Sequence, residues 1–350
     1  MIEEILKFLE TKMSVANFAY ERQLATIYGR INEPLEQTIK EINDFCAQYG
    51  YTPFFTKEGD NHRIMLGVVP KFVDNPKIWL NVLLFVATIF TTLLAGSFNS
   101  GGNPFGNFSD ILMGVPFSFS LMAILTCHEL GHYFVSKRHG MVTSLPYFIP
   151  MPFHFLGTFG AIIRMKSIVP SRKALLKVGI AGPICGFLVA FVISIIGIVL
   201  SEIRAVPSDS SYLRLGDSLL FYFLGKIIHP SVPEGTDLFL HPMAFAGWIG
   251  FLVTSMNLIP IGQLDGGHIA YSILLKNQKK LYIPIILILI GFGILWQGWI
   301  IWGLLVFILA RRETLIQDAI TPLSRREKIY AFMALLILIL TFIPQPFAIF

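Results

Sequence analysis

The stretch ILTCHELGHYFVSK, residues 124–137, places two histidines and a glutamate inside an otherwise apolar run of helical length. On an α-helix, His128 and His132 project from the same face, so their imidazoles can converge on one metal ion. Glu129 lies beside the first histidine, where its carboxylate can accept a proton from metal-bound water without being a ligand. This H-E-x-x-H spacing is typical of zinc hydrolases. The stretch therefore predicts a helix that carries part of a site for one Zn²⁺ per chain.

The composition indicates the solvent in which this helix lies. The 350-residue chain is 54% hydrophobic and 14% charged, whereas soluble domains carry about 25% charged residues. From residue 78 onward, uncharged runs of about 20 residues recur, and each is long enough to cross a hydrocarbon core about 30 Å thick. The sequence therefore predicts an integral, multi-pass membrane protein whose partners include the lipid bilayer.

Six apolar segments are candidate membrane spans, at residues 78–96, 115–136, 178–200, 243–275, 281–310 and 330–350. The fifth can be one long span or a short hairpin, because each of its halves is too short for an ordinary span. The expected fold class is an all-α polytopic membrane protein of about six transmembrane helices. It includes a small re-entrant or β-strand loop and a small α+β domain at the N-terminus.

The distribution of basic residues predicts the orientation in the membrane. Residues 99–114 contain no Lys or Arg, whereas residues 137–177 contain seven. Cytosolic loops are enriched in basic residues, so the second and fourth spans are expected to run from outside to cytosol, with the N-terminal domain cytosolic and the cell membrane as location. The net charge of +5 reflects these loops, and nucleic-acid binding is not expected. The charged opening of the chain predicts no cleavable secretory signal.

Residues 1–77 are predicted to form a cytosolic α+β accessory domain ahead of a transmembrane domain at residues 78–350. Residues 32–50 have the spacing of an amphipathic helix, and the flanking runs predict the order strand, helix, strand, strand. Two roles stay open for this domain. It can present substrates, or it can stabilise the membrane domain as a cap.

Two histidines leave a catalytic zinc one protein ligand short. The cysteines at positions 46, 127 and 185 have no paired spacing, so neither a disulfide framework nor a Cys cluster is expected. Asp265, in SMNLIPIGQLDGGH, lies eleven residues before Lys276, and His128 lies nine before Lys137. At 1.5 Å per residue, both lie about 14–16 Å from the cytosolic helix ends, so Asp265 can be the third ligand. His268 is the rival ligand, and the prolines and glycines nearby predict an interrupted helix.

The loop between the second and third spans contains a candidate substrate-binding edge. In GTFGAIIRM, residues 157–165, Gly157 and Gly160 permit close backbone approach, and residues 161–165 can extend as an edge strand. A helix hides its amide bonds, so a transmembrane substrate must unwind, and pairing as an added strand would hold it extended. The alternative is a re-entrant loop that only plugs the cytosolic side.

Together, HELGH, GTFGAIIRMKS, AGP at the third span and NLIPIGQLDGG resemble the site-2 protease family of intramembrane zinc metalloproteases, and most closely its branch with chloroplast members. The resemblance covers about residues 115–275. It implies a zinc endopeptidase that hydrolyses peptide bonds within or near transmembrane segments of membrane proteins. It implies His128, His132 and Asp265 as ligands and Glu129 as general base. It also implies that Asn257 helps to hold the substrate carbonyl.

Two other function classes stay open from the sequence. A proton-coupled transporter can use His128, Glu129 and Asp265 as a relay and needs no tightly held zinc. A catalytically silent membrane chaperone would bind transmembrane protein substrates without cutting them. The oligomeric state is not determined by the sequence.

Overall fold

The computed structural model describes residues 2–21, 24–70, 77–152, 154–206, 213–309 and 314–349. The N-terminal elements are α1 (Ile2–Lys12), β1 (Met13–Glu21), β2 (Leu24–Ile31), α2 (Leu35–Gln48), β3 (Thr52–Glu58) and β4 (Asn61–Gly67). The helix predicted within residues 32–50 is confirmed as α2, which buries Ile39, Ile42 and Cys46 on one face.

The N-terminal part differs from the predicted order at its start. The pattern of residues 18–31 predicts one strand, but the described residues of this stretch belong to β1 and β2, which are antiparallel and pair Phe18 with Ile27. Because two paired antiparallel strands carry the same side-chain alternation, the sequences of β1 and β2 resemble one continuous strand. Helix α1 precedes them and buries Ile5 and Leu9 in the same core as Ile27.

The remaining chain is mostly helical. Its first half contains α3 (Ile78–Asn99), a 3-10 helix (Phe108–Gly114), α4 (Val115–Arg138), β5 (Tyr147–Pro150), β6 (Thr158–Ile162), β7 (Val169–Ser171) and α5 (Arg172–Val199). Its second half contains β8 (Glu202–Ala205), β9 (Leu213–Leu215), α6 (Leu219–Ile228), β10 (Thr236–Phe239), α7 (Pro242–Leu258), α8 (Asp265–Leu274), a second 3-10 helix (Leu275–Leu281), α9 (Tyr282–Phe292), α10 (Gly298–Leu309), β11 (Ile316–Asp318), α11 (Arg325–Thr341) and β12 (Phe347–Ile349).

Among the described residues, three helical stretches are long and apolar enough to cross a membrane, at Ile78–Asn99, Phe108–Arg138 and Arg172–Val199. The predicted count of six spans is therefore not confirmed, although a multi-helix membrane architecture is. The fourth predicted segment is broken between α7 and α8, and the fifth is a pair of helices, α9 and α10, of 11 and 12 residues. The break follows from Pro260 and Gly262, because proline removes a backbone donor and Gly262 has a φ of +60°.

The small strands join the N-terminal part to the membrane part. One six-stranded sheet has the order β1-β2-β4-β3-β11-β7. In it, β11 lies parallel to β3 and β7, and Asp318 pairs with both Phe55 and Ser171. Lys173, in the first turn of α5, contacts Glu36 of α2 at 2.7 Å. The sheet therefore crosses the boundary predicted at residue 77 and ends where α5 begins.

Close helix crossings set the core of the membrane part. A Cβ on Gly131 of α4 would lie 2.7 Å from the carbonyl oxygen of Ala181, and a Cβ on Gly197 would lie 2.1 Å from the amide nitrogen of Ala244. These glycines let α4 and α7 approach α5 at backbone distance, as small residues do between membrane helices. Ser171 starts α5 by accepting a hydrogen bond from the Ala174 amide at its N-cap. Helix α5 thus packs closely on both α4, which carries the two histidines, and α7, which precedes the segment of Asp265.

Candidate metal centre

The two histidines and the aspartate predicted as ligands meet inside the helical bundle. His128 and His132 on α4 are 6% and 5% exposed, and Asp265 is the first residue of α8. The Nε2 atoms of the histidines lie 3.1 Å apart. Asp265 Oδ2 lies 3.2 Å from His128 Nε2, and Asp265 Oδ1 lies 3.2 Å from His132 Nε2. These residues form one group whose candidate ligand atoms all lie within 4.8 Å of one another.

This arrangement fits a zinc ion. Ligand atoms at the usual Zn–N distance of about 2.0 Å in tetrahedral geometry are about 3.3 Å apart. This is close to the 3.1 Å between the two Nε2 atoms and to the 3.2 Å from each Nε2 to one oxygen of Asp265. His132 Nδ1 lies 2.8 Å from the carbonyl oxygen of Val178. Because a carbonyl can only accept, Nδ1 carries the proton, and the lone pair of Nε2 is left for a metal. Two imidazoles and one carboxylate form a set used by catalytic zinc sites, which keep a fourth position open.

Glycines on α5 make room for the histidine rings. A Cβ on Gly182 would lie 2.1 Å from His132 Nε2, and a Cβ on Gly186 would lie 3.1 Å from His128 Nδ1. Any larger side chain at Gly182 would therefore occupy the position of the ring. The sequence motifs point to Gly182 only through AGP and do not include Gly186. The four-residue spacing of Gly182 and Gly186 places both glycines on the α5 face toward α4. This spacing is the sequence signal from which both could have been predicted.

The break after α7 brings Asp265 back to the level of the histidines. A Cβ on Gly266 would lie 1.9 Å from the carbonyl oxygen of Leu258, and a Cβ on Gly267 would lie 2.3 Å from that of Gly262. The two glycines after Asp265 thus let the first turn of α8 pack directly on the backbone of the break. The interrupted helix predicted from the prolines and glycines is confirmed.

A cavity of about 230 Å³ opens onto the three predicted ligands. Glu129, Asn257 and His268 line it, and Ile163 lines it from the loop that carries β6. His268 is buried, and its Nδ1 has no hydrogen-bond partner among the described residues, but it is not in the group of converging ligands. The geometry therefore brings Asp265, and not the rival His268, to the two histidines.

The strand predicted as a substrate edge lies beside this cavity, although its glycines do not line it. Gly157 has a φ of +72°, and a Cβ there would lie 2.4 Å from the carbonyl oxygen of Thr91 on α3, so it packs the loop on that helix. Gly160 has a φ of +93°, and its Cβ position is open among the described residues. The lining residues come from just beyond it, at Ala161, Ile162, Ile163 and Met165.

One edge of β6 is paired and the other is not. On the paired edge, Tyr147 of β5 is opposite Ile162. The described residues contain no strand on the other edge. The extended edge predicted at residues 161–165 is thus present in part as a strand, with one edge that no described strand pairs.

Comparison with known proteins gives the family. Residues 116–296, more than half of the chain, match the model of peptidase family M50. The chain belongs to peptidase family M50. All four residues of the predicted metal and base chemistry lie inside the M50 region, and the resemblance drawn from the sequence motifs is confirmed.

Curated relatives of this M50 chain are named as zinc metalloproteases. It is 31% identical over 348 residues to "Probable zinc metalloprotease EGY2, chloroplastic" of Oryza sativa subsp. indica, which covers 93% of this chain and 60% of the relative. It is 32% identical over 344 residues to the protein of the same name from Arabidopsis thaliana, and the match covers 93% of this chain and 59% of that relative. "Probable zinc metalloprotease EGY1, chloroplastic" of Oryza sativa subsp. japonica is 27% identical over 314 residues, and the match covers 81% of this chain and 54% of that relative.

The chain spans about 60% of the length of the EGY2 relatives. The similarity to them extends beyond the M50 region, since it covers 93% of this chain. No solved structure matches the chain.

Proposed function

We propose that this chain is an intramembrane zinc endopeptidase that hydrolyses peptide bonds within or near the transmembrane segments of membrane proteins. The observation that carries the proposal is the convergence of His128, His132 and Asp265 at 3.1–3.2 Å beside a carboxylate that is not a ligand. M50 membership and the names of the relatives support the same chemistry.

Each residue of the site has a separate role in the proposed hydrolysis. His128, His132 and Asp265 would hold a Zn²⁺, which when bound would supply a Lewis acid and lower the pKa of water toward neutral pH. Glu129, buried and next to His128, accepts the proton of the attacking water and passes it to the leaving amine. The Asn257 side-chain amide donates a hydrogen bond to the substrate carbonyl oxygen, where negative charge develops.

Substrate binding is proposed at the free edge of β6. An unwound segment adds there as a strand, with its scissile bond next to the cavity, because strand addition exposes and aligns the backbone. Gly160 lets a substrate backbone approach this edge closely, since no atom of the described residues lies within 4 Å of its Cβ position. Gly157 contributes by letting the loop that carries β6 pack closely on α3.

The membrane arrangement and domain roles belong to the same proposal. The chain lies in the cell membrane with about six membrane segments, of which α7–α8 is broken and α9–α10 is a hairpin. Residues 1–77 are a cytosolic accessory domain, and residues 78–350 are the protease domain with its core at about 115–275. The seven basic residues at 137–177 support a cytosolic position for the end of α4.

The test is cleavage by the purified full chain. Incubated in detergent with a model transmembrane substrate, it should cut in the absence of a zinc chelator and not in its presence. It should hold about one zinc per chain, and the H128A/H132A variant should lose most of it. Full zinc retention in that variant would overturn the ligand assignment. A proton relay would require no stoichiometric zinc, and a silent chaperone would bind the substrate without products.

A further inference from the structure

Gln278 lies outside the cavity, in the polar run KNQKK that follows α8, yet its side chain is buried. It is 2% exposed, whereas its neighbours Asn277 and Lys279 are exposed. A long polar side chain is rarely buried in full unless its amide is hydrogen-bonded. The contacts of this amide therefore indicate what it does.

The Gln278 amide connects the two parts of the segment that carries Asp265. Its Nε2 donates to the carbonyl oxygen of Gly267 at 2.8 Å and faces that of Pro260 at 3.4 Å. Its Oε1 accepts from the Tyr282 hydroxyl at 3.3 Å. Pro260 lies in the break after α7, and Gly267 lies in the first turn of α8, two residues after Asp265. One side chain thus ties the break to the turn that begins with the third ligand.

The backbone turns back on itself to bring Gln278 there. Leu275 ends α8 with a φ of +50°, the one positive φ outside glycine among the described residues. A residue with a Cβ rarely adopts this conformation, and it persists where the surrounding structure holds it. After this reversal, the 3-10 helix Leu275–Leu281 brings residue 278 to the start of α8.

We infer that Gln278 is a positioning residue for the metal centre. His128 and His132 are fixed relative to each other by one continuous helix, but Asp265 depends on the backbone of a broken one. Functional geometry must be held to about 0.5 Å, and buried amides next to a ligand segment supply such restraint. Gln278 thereby keeps Asp265 at its distance from the two histidines. The inference rests on the proposed zinc function and adds a residue to it.

The test replaces Gln278 with methionine, which has similar length and no hydrogen-bonding amide. The matched control is N277M, a change at the exposed neighbouring position. In Q278M, zinc should pass to a chelator about 10 to 100 times faster than in the wild type, as with other supports of metal ligands. The visible absorption bands of the Co²⁺-substituted protein should shift, because they report ligand geometry. In cleavage assays kcat should fall and KM should stay, since β6 is untouched. N277M should match the wild type in every measurement.

A second variant keeps the inference falsifiable if Q278M does not fold. Q278N retains an amide but is one methylene shorter, so it should show the same shift of the Co²⁺ bands and faster zinc release. Wild-type release and spectra in a folded Q278M or Q278N would overturn the positioning role. That result differs from failure of the proposed function, in which the wild-type chain itself would hold no zinc and cut no substrate.

Discussion

A Cβ on Gly182 would lie 2.1 Å from Nε2 of His132, so α5 has no side chain where α4 places its second histidine. The ring fills the space that any other residue at 182 would need. Across the same interface, His132 Nδ1 donates to Val178 on α5 at 2.8 Å. Helix α5 therefore both makes room for this proposed ligand and orients its ring.

Replacing Gly182 with alanine should therefore weaken zinc binding. The added methyl group must displace the ring, and changes next to a metal ligand cost about 10- to 100-fold in affinity or activity. Zinc per chain, measured after dialysis against a weak chelator, checks this. The control is G225A on α6, where a Cβ meets no atom within 4 Å, and it should keep its zinc. A G182A protein with full zinc affinity would show that the ring can move without loss.

Replacing Glu129 with glutamine should separate metal binding from chemistry. The amide keeps the shape of the side chain but cannot take a proton from water, so cleavage should fall by on the order of 100-fold or more while zinc content stays normal. Product formation and zinc content are measured on the same preparation. E202Q, at an exposed position on β8, serves as the control and should cleave normally. An active E129Q enzyme would place the base elsewhere.

Replacing Gly160 with valine should slow cleavage and leave zinc content near normal. A β-branched residue is strained at a φ of +93°, and it would distort the strand edge on which the substrate is expected to pair. Initial rates on a model transmembrane substrate measure the effect. G140V is the matched control, because Gly140 has a φ of +71° and an open Cβ position. It should carry similar strain without losing activity. Equal rates in folded G160V and wild type would favour the plug role of this loop.

Cysteine labelling in oriented membranes should report the proposed topology. In a background without the three native cysteines, R138C should react with an impermeant thiol reagent added from the cytosolic side, and S109C only from the opposite side. Both positions are exposed, whereas Ser136 and Ser144 are buried and unsuited to labelling. The reverse pattern would invert the topology and place the N-terminal domain outside.

Cys46 should be inert to thiol reagents while the N-terminal domain is folded. Burial raises the pKa of this thiol to about 12, and the thiolate is the reactive form. The thiol is thus protonated at pH 8 and also shielded, so labelling should follow unfolding of the domain in denaturant. The measurement uses a variant in which Cys127 and Cys185 are replaced. Rapid stoichiometric labelling of the native protein at pH 8 would contradict the burial of Cys46.

The sequence alone predicted the features that depend on local periodicity and composition. His128 and His132 share a helix face whatever packs around them, because four residues are about one turn. The apolar composition determined the membrane character, and the glycines and prolines around Asp265 determined that the helix breaks there. The amphipathic pattern of α2 likewise depends on its own residues alone.

The tertiary structure decided the features that depend on distant parts of the chain. It brought Asp265, and not His268, next to the two histidines, because the packed break and not residue spacing sets which side chain faces them. It placed Gly182 against His132, joined β11 to β3 and β7 in one sheet, and divided residues 282–309 into two short helices. Such contacts join segments tens to hundreds of residues apart, and the local side-chain pattern carries no information about which segments will meet.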